Sequence, residues 1–190
     1  ISPDGNSLVG GTRDGKTIVW NTSGDYEANV IYNDPGNAVQ SVSYSPNGRY
    51  LACGTLNGNV LVFRAGSYEL ITELPGHTAR VTEIDFSPNS SYLASSAYDG
   101  KILLWNMANL RGGPAVFNDN GGFVFTVRFS TDGKNLVGGS AQESRLVSRP
   151  VSATQLADRV CFLVSRNFTQ AEWDRFVAPD IPYEKTCSDK

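Results

Sequence analysis

The run GHTARVTEIDFSPNSSYLASSAYDGKILLW, Gly76 to Trp105, begins with the chain's only histidine. A histidine suggests either acid–base chemistry or metal ligation. The flanking sequence supports neither. No Cys or second His lies near His77 to complete a metal set, and no serine stands in an elbow-type nucleophile motif. Cys53, Cys161 and Cys187 show no CxxC pairing, so no zinc site is expected. A disulfide between Cys161 and Cys187 would require an oxidising compartment, and free thiols are the expectation. No paired carboxylates recur at an inner position. The expectation is therefore no catalytic residue, no metal and no cofactor. A third use of His77 remains, because an imidazole can accept on one nitrogen and donate on the other, tying a hydroxyl to other polar groups.

Such a tie needs elements to hold it, and the chain supplies them by repetition. SPDG at Ser2, SPNG at Ser45, SPNS at Ser87 and STDG at Ser130 recur at intervals of 43, 42 and 43 residues. Trp20, Phe63, Trp105 and Ser148 keep the same step. Within each unit, short β-rich runs alternate with turn residues, as in VTEIDF, Ser-Pro-Asn, YLASSA, Asp-Gly and KILLW. Asp99-Gly100, Asp14-Gly15 and Asn57-Gly58 occupy one place in their units and read as tight hairpins. A further β-rich segment follows the first two units, EANVIYN and SYELITEL, and a weaker PAVF follows the third. A four-stranded antiparallel meander repeating at this period is the pattern of a propeller blade.

Over residues 1 to about 150 the sequence resembles the WD-repeat β-propeller family. The third unit matches most fully, through Gly76-His77, the V..I.FSP run from Val81, and YDGKILLW ending at Trp105. The resemblance implies a buried hydrogen-bonded chain of His77, Ser95, Asp99 and Trp105, whose physical role would be to fix one blade geometry. The other units depart from the motif. Unit one keeps Asp14 and Trp20 but has Gly10 at the hydroxyl position; unit two has Cys53, Asn57 and Phe63; unit four has Gly138, Gln142 and Ser148. These are expected to rely on apolar strand faces such as Val42, Tyr44, Leu51, Val60 and Val62, with unit four the most irregular.

The fold class expected is all-β: a partial propeller of about four blade units over 1–151 (about 1–35, 36–76, 77–119 and 120–151, the first truncated), then a helical C-terminal extension over 152–190 packed on it. ATQLADRVCFLVS has helical apolar spacing, and Thr169 with Glu172 fits a capping box. The tail, in RNFTQAEWDRFV and IPYEKTC, resembles the extension of bacterial multidomain WD-repeat proteins, with Arg166, Trp173 and Cys187 expected as anchors. Missing blades or an effector domain are expected from upstream sequence or another chain.

A net charge of −3, with both signs interspersed, lacks the basic face of a nucleic-acid binder. No apolar run reaches membrane-helix length. The cytoplasm is the expected compartment, with periplasmic and extracellular settings left open. Non-catalytic protein interaction, sensing or scaffolding is the expected function. The alternatives are a structural subunit of an assembly and, third, a hydrolase or lyase propeller.

In WD-repeat proteins partners meet the rim where the hairpin between second and third strands lies beside the start of the first strand. By spacing, those positions are Arg13, Gln40, Leu56, Arg80, Thr82, Tyr98, Phe123, Phe125 and Ala141. Buried first-strand positions Val81, Ile84 and Phe86 correspond to Val124, Val127 and Phe129, so Phe123 and Phe125 fall outside the buried set. They read either as exposed, beside Arg80 and Tyr98, or as covered by the C-terminal helices.

Overall fold

A computed structural model describes residues 1–118, 122–140, 145–151, 167, 169–171 and 187. The serine of each SPxG-like turn sets the first hairpin of its unit. Ser45 Oγ donates to Asn47 Oδ1 at 2.8 Å and accepts the Tyr50 amide at 2.9 Å. Ser87 does the same with Asn89 and Tyr92, and Ser130 with Asp132 and Asn135. One hydroxyl thus fixes the turn and starts the next strand.

The strands form four sheets in which sequence neighbours are sheet neighbours. The first holds β1 (Ser7–Gly11), β2 (Lys16–Asn21) and β3 (Ala28–Asn33). The second holds β4 (Val39–Tyr44), β5 (Tyr50–Thr55), β6 (Val60–Arg64) and β7 (Leu70–Leu74). The third holds β8 (Val81–Phe86), β9 (Tyr92–Ala97), β10 (Ile102–Asn106) and the short β11 (Ala115–Phe117). The fourth holds β12 (Val124–Phe129), β13 (Asn135–Ser140) and β14 (Arg145–Pro150).

The core lies between sheets. Val39, Leu51, Cys53, Leu61 and Phe63 pack with Val9, Ile31 and Tyr32 of the first sheet. Ala52, Val60 and Val62 of the second meet Val81, Ile84, Leu103 and Trp105 of the third. Strands β5, β6, β9 and β10 are buried on both faces, so β6 and β10 read as apolar runs and β5 and β9 as apolar and small residues, rather than as polar alternations. At Gly54 a Cβ would stand 2.4 Å from Val81 Cγ1, so the absent side chain is what lets the second and third sheets close together.

The hairpin at Asp99-Gly100 joins β9 to β10. Ala97 and Lys101 close a three-residue connection through an amide to carbonyl bond of 3.2 Å, and only Gly100 has a positive φ, 80°. A two-residue type I′ turn would need positive φ at both central residues. The Asp99 carboxylate instead accepts the Lys101 amide at 3.0 Å, which favours the longer turn. At Gly58, with φ 93°, a Cβ would lie 2.5 Å from the His77 carbonyl oxygen, so glycine there lets the third unit approach the second.

The chain divides into two compact units, Ile1–Arg149 and Pro150–Lys190. In the second, Asn167 Nδ2 donates to the Cys187 carbonyl at 2.8 Å, and its Oδ1 accepts the Cys187 amide at 2.9 Å. Gln170 and Ala171, after Thr169, are helical. Cys187 is buried and disulfide-bonded, against the expectation of a free thiol, whereas Cys53 is free. The rest of the expected helices, with Cys161, Arg166, Glu172 and Trp173, lie outside the described residues.

Candidate functional site

His77 Nε2 lies 2.9 Å from Ser95 Oγ, and Nδ1 lies 3.2 and 3.1 Å from the two Asp99 oxygens. Trp105 Nε1 donates to the same Ser95 oxygen at 3.4 Å. The tautomer follows from these partners. A carboxylate can only accept, so Nδ1 carries the proton, and Nε2 accepts from the Ser95 hydroxyl. Asp99 also accepts the Thr78 amide at 2.9 Å, so the chain joins the entry to β8, strand β9, the hairpin and strand β10. Burial holds the His77 pKa below its ordinary value, against the opposing pull of Asp99. A buried, neutral imidazole with both nitrogens engaged is a structural linker. Among the described residues no group of three His, Cys, Asp or Glu is placed to hold a metal ion.

The other units meet the same need differently. Gly10 sits against Trp20: a Cβ there would be 3.0 Å from the indole ring, so glycine makes room for the tryptophan. In unit two, expected to rely mainly on apolar faces, an amide network is present as well. Asn37 donates from Nδ2 to Asp34 at 2.8 Å and accepts the Asn57 amide at 3.0 Å, and Thr55 Oγ1 donates to Asn57 Oδ1 at 2.7 Å. This network was missed because Asn37 does not align with His77. In unit four Gln142 lies outside the described residues and Ser148 is exposed.

The expected rim positions are brought together by a repeated device. Strands β4, β8 and β12 each shift register after their first residue, between Val39 and Ser41, Val81 and Glu83, and Val124 and Thr126. The extra residues are Gln40, Thr82 and Phe125, and such bulges re-aim side chains at a sheet's edge. Backbone bonds dock the hairpins of the second and third sheets beside their first strands, Leu56 N to Ala38 O at 2.8 Å and Tyr98 N to Arg80 O at 3.1 Å.

Two rim features result. Arg80 lies over the Tyr98 ring, its Cζ 3.7 Å from the centroid. Phe123 stacks on Tyr98 at 4.7 Å and 19°, and Phe125 meets it edge-on at 5.3 Å and 70°. Phe123 is 54% and Phe125 43% exposed. Beside them, Arg13, Gln40, Leu56 and Arg80 line an open cleft of about 630 Å³. Thr82 is placed differently: its hydroxyl bonds Ser96 Oγ at 2.8 Å and the Val124 carbonyl at 2.7 Å, which ties the third sheet to the fourth. Ala141 lies outside the described residues.

Comparison with known proteins agrees with this geometry. The family model "WD domain, G-beta repeat" matches residues 29–64 and 68–106. The guanine nucleotide-binding protein G(I)/G(S)/G(T) subunit beta-1 of Homarus americanus is 36% identical over 81 residues, 40% of this chain and 23% of that protein. The subunit beta-1 proteins of Caenorhabditis briggsae and Drosophila melanogaster are 35% and 34% identical over 81 and 80 residues, again across 23% of their length. The match to these relatives thus spans about a quarter of their length. With the repeat, the meander sheets and the family match in agreement, residues 29–64 and 68–106 are WD repeats, and the four sheets have the form of propeller blades.

Proposed function

We propose that this chain is a non-catalytic interaction module that holds a protein partner on the rim built from Arg80, Tyr98, Phe123 and Phe125, with Arg13, Gln40 and Leu56 beside them. One observation carries the reading: three aromatic rings and a guanidinium from two adjacent sheets are stacked together while two of the rings stay half open to solvent. Aromatic and arginine side chains are the types that dominate binding hot spots, and an apolar cluster kept exposed by its own packing suits a partner's surface. Stacking also fixes the rings before binding, which lowers the ordering cost of association. The guanine nucleotide-binding beta subunits that share the repeat are named as subunits, which favours an interaction role over catalysis. The setting within a larger bacterial protein belongs to the same proposal and is supported by the tail's Arg-Asn, Glu-Trp and Thr-Cys elements.

Hydrogen exchange on the chain alone and with a captured partner tests the site. Protection is expected in the Arg80, Tyr98 and 122–126 segments. Protection confined to the opposite, SPxG-turn side would place the interface elsewhere.

A further inference from the structure

Arg80 belongs to both rim features. On one side it lies over the Tyr98 ring, and on the other it lines the cleft shared with Arg13. A guanidinium 3.7 Å above a ring and a second ring stacked at 4.7 Å cannot share one face, so Tyr98 is sandwiched between Arg80 and Phe123. A guanidinium held over a ring still carries five N–H donors, and these make the paired bonds that a carboxylate accepts. Among the described residues neither Arg80 nor Arg13 forms an ion pair with the chain's own acids. Among the described residues no Asp or Glu lines the cleft; the buried Ala38 and Val39 and Leu56, 41% exposed, line it with the arginines. The cleft therefore combines two uncompensated positive charges with an apolar lining, in a chain whose net charge is −3.

Building on the rim reading above, we propose that the partner is engaged through an acidic peptide segment: one carboxylate held edge-on by the stacked Arg80, a second reaching Arg13 across the cleft, and an apolar side chain between them against Leu56 and Val39. Charge complementarity selects this occupant. A nucleic acid is disfavoured because two arginines cannot follow a phosphate backbone and the rest of the chain carries net negative charge.

Fluorescence anisotropy with the full chain decides it, using four labelled probes: a peptide alternating Asp or Glu with Leu, its Asn/Gln isostere, its Lys counterpart, and a single-stranded oligonucleotide of equal charge. The acidic peptide is expected to bind about a hundredfold more tightly than its isostere, about tenfold for each of two charge-assisted contacts. Arg80→Gln and Arg13→Gln should each remove about tenfold, and Arg80→Lys should recover only part of it, because an ammonium keeps the charge without the paired geometry. Melting curves of the three variants show that each is folded. Equal binding of the acidic peptide and its isostere overturns the acidic segment, and so does equal binding of the oligonucleotide or no binding of any probe. If the isostere binds equally and Phe123→Asp abolishes its binding while Arg80→Gln and Arg13→Gln do not, the rim reading survives and the acidic partner class alone fails.

Discussion

His77 illustrates how neighbours decide what a side chain does. Placed where one nitrogen faces a carboxylate and the other a hydroxyl, it has no lone pair left for a metal or a substrate proton. Truncating Ser95 to Ala should leave His77 Nε2 and Trp105 Nε1 unpaired inside the third sheet. The expected loss is about 1–3 kcal/mol of stability, measured by urea unfolding. His77 also sets a pH dependence. Its folded pKa lies below 6.5, so an unfolded chain takes up the proton first. Stability should therefore be undiminished above that value and decline as pH falls from 6.5 through the folded pKa. Replacing His77 with Gln should flatten this part of the profile, whereas a slope unchanged by the substitution would assign it to other groups. The exposed carboxylates Asp4, Asp14 and Asp132, whose pKa values are lowered by hydrogen bonds from Ser2, Lys16 and Ser130, act in a separate, more acidic window.

Between elements, adjacent sheets are joined by side chains that reach across to backbone. Glu83 accepts the Val127 amide at 3.0 Å and Asp85 the Phe129 amide at 2.8 Å, while Arg128 pairs with both acids. Burial raises the Asp85 pKa, with the Phe129 amide and Arg128 opposing it. Removing both carboxylates, Glu83→Ala with Asp85→Ala, should speed exchange of the Val127 and Phe129 amides about tenfold to a hundredfold, while the Leu51 and Leu61 amides stay protected. The strands themselves were legible in the sequence, because turn serines and apolar runs are local signals that repeat. The chain from His77 to Trp105 was legible only through the family resemblance, since its members are spread over four segments. The bulges at Gln40, Thr82 and Phe125 left no such mark. Spacing places Thr82 on the rim, but its hydroxyl bonds the next sheet, a contact set by how sheets pack. The Asn37 and Asn57 network was hidden for a similar reason: a different residue at a different position meets the same backbone need.

Across the whole molecule, the groups that hold the sheets and the groups that face outward are largely distinct. Burial pushes the Cys53 thiol up to about 12, so native protein should show no reaction at this cysteine, unfolding without reductant should expose one thiol, and reduction should release two more from the disulfide at Cys187. Three reactive thiols before reduction would contradict the bonded state. The same separation governs binding. Phe123 and Phe125 contribute exposed area to the rim but little to the core, so charges placed there should disturb association and spare folding. The direct measurement is calorimetric titration of a captured partner into the unaltered chain and into a chain carrying Phe123→Asp and Phe125→Asp, with both melting temperatures recorded. Affinity should fall by about 2 kcal/mol or more, roughly thirtyfold, at a nearly unchanged melting temperature. Unchanged affinity in the doubly substituted chain would contradict the assignment of the partner to this face.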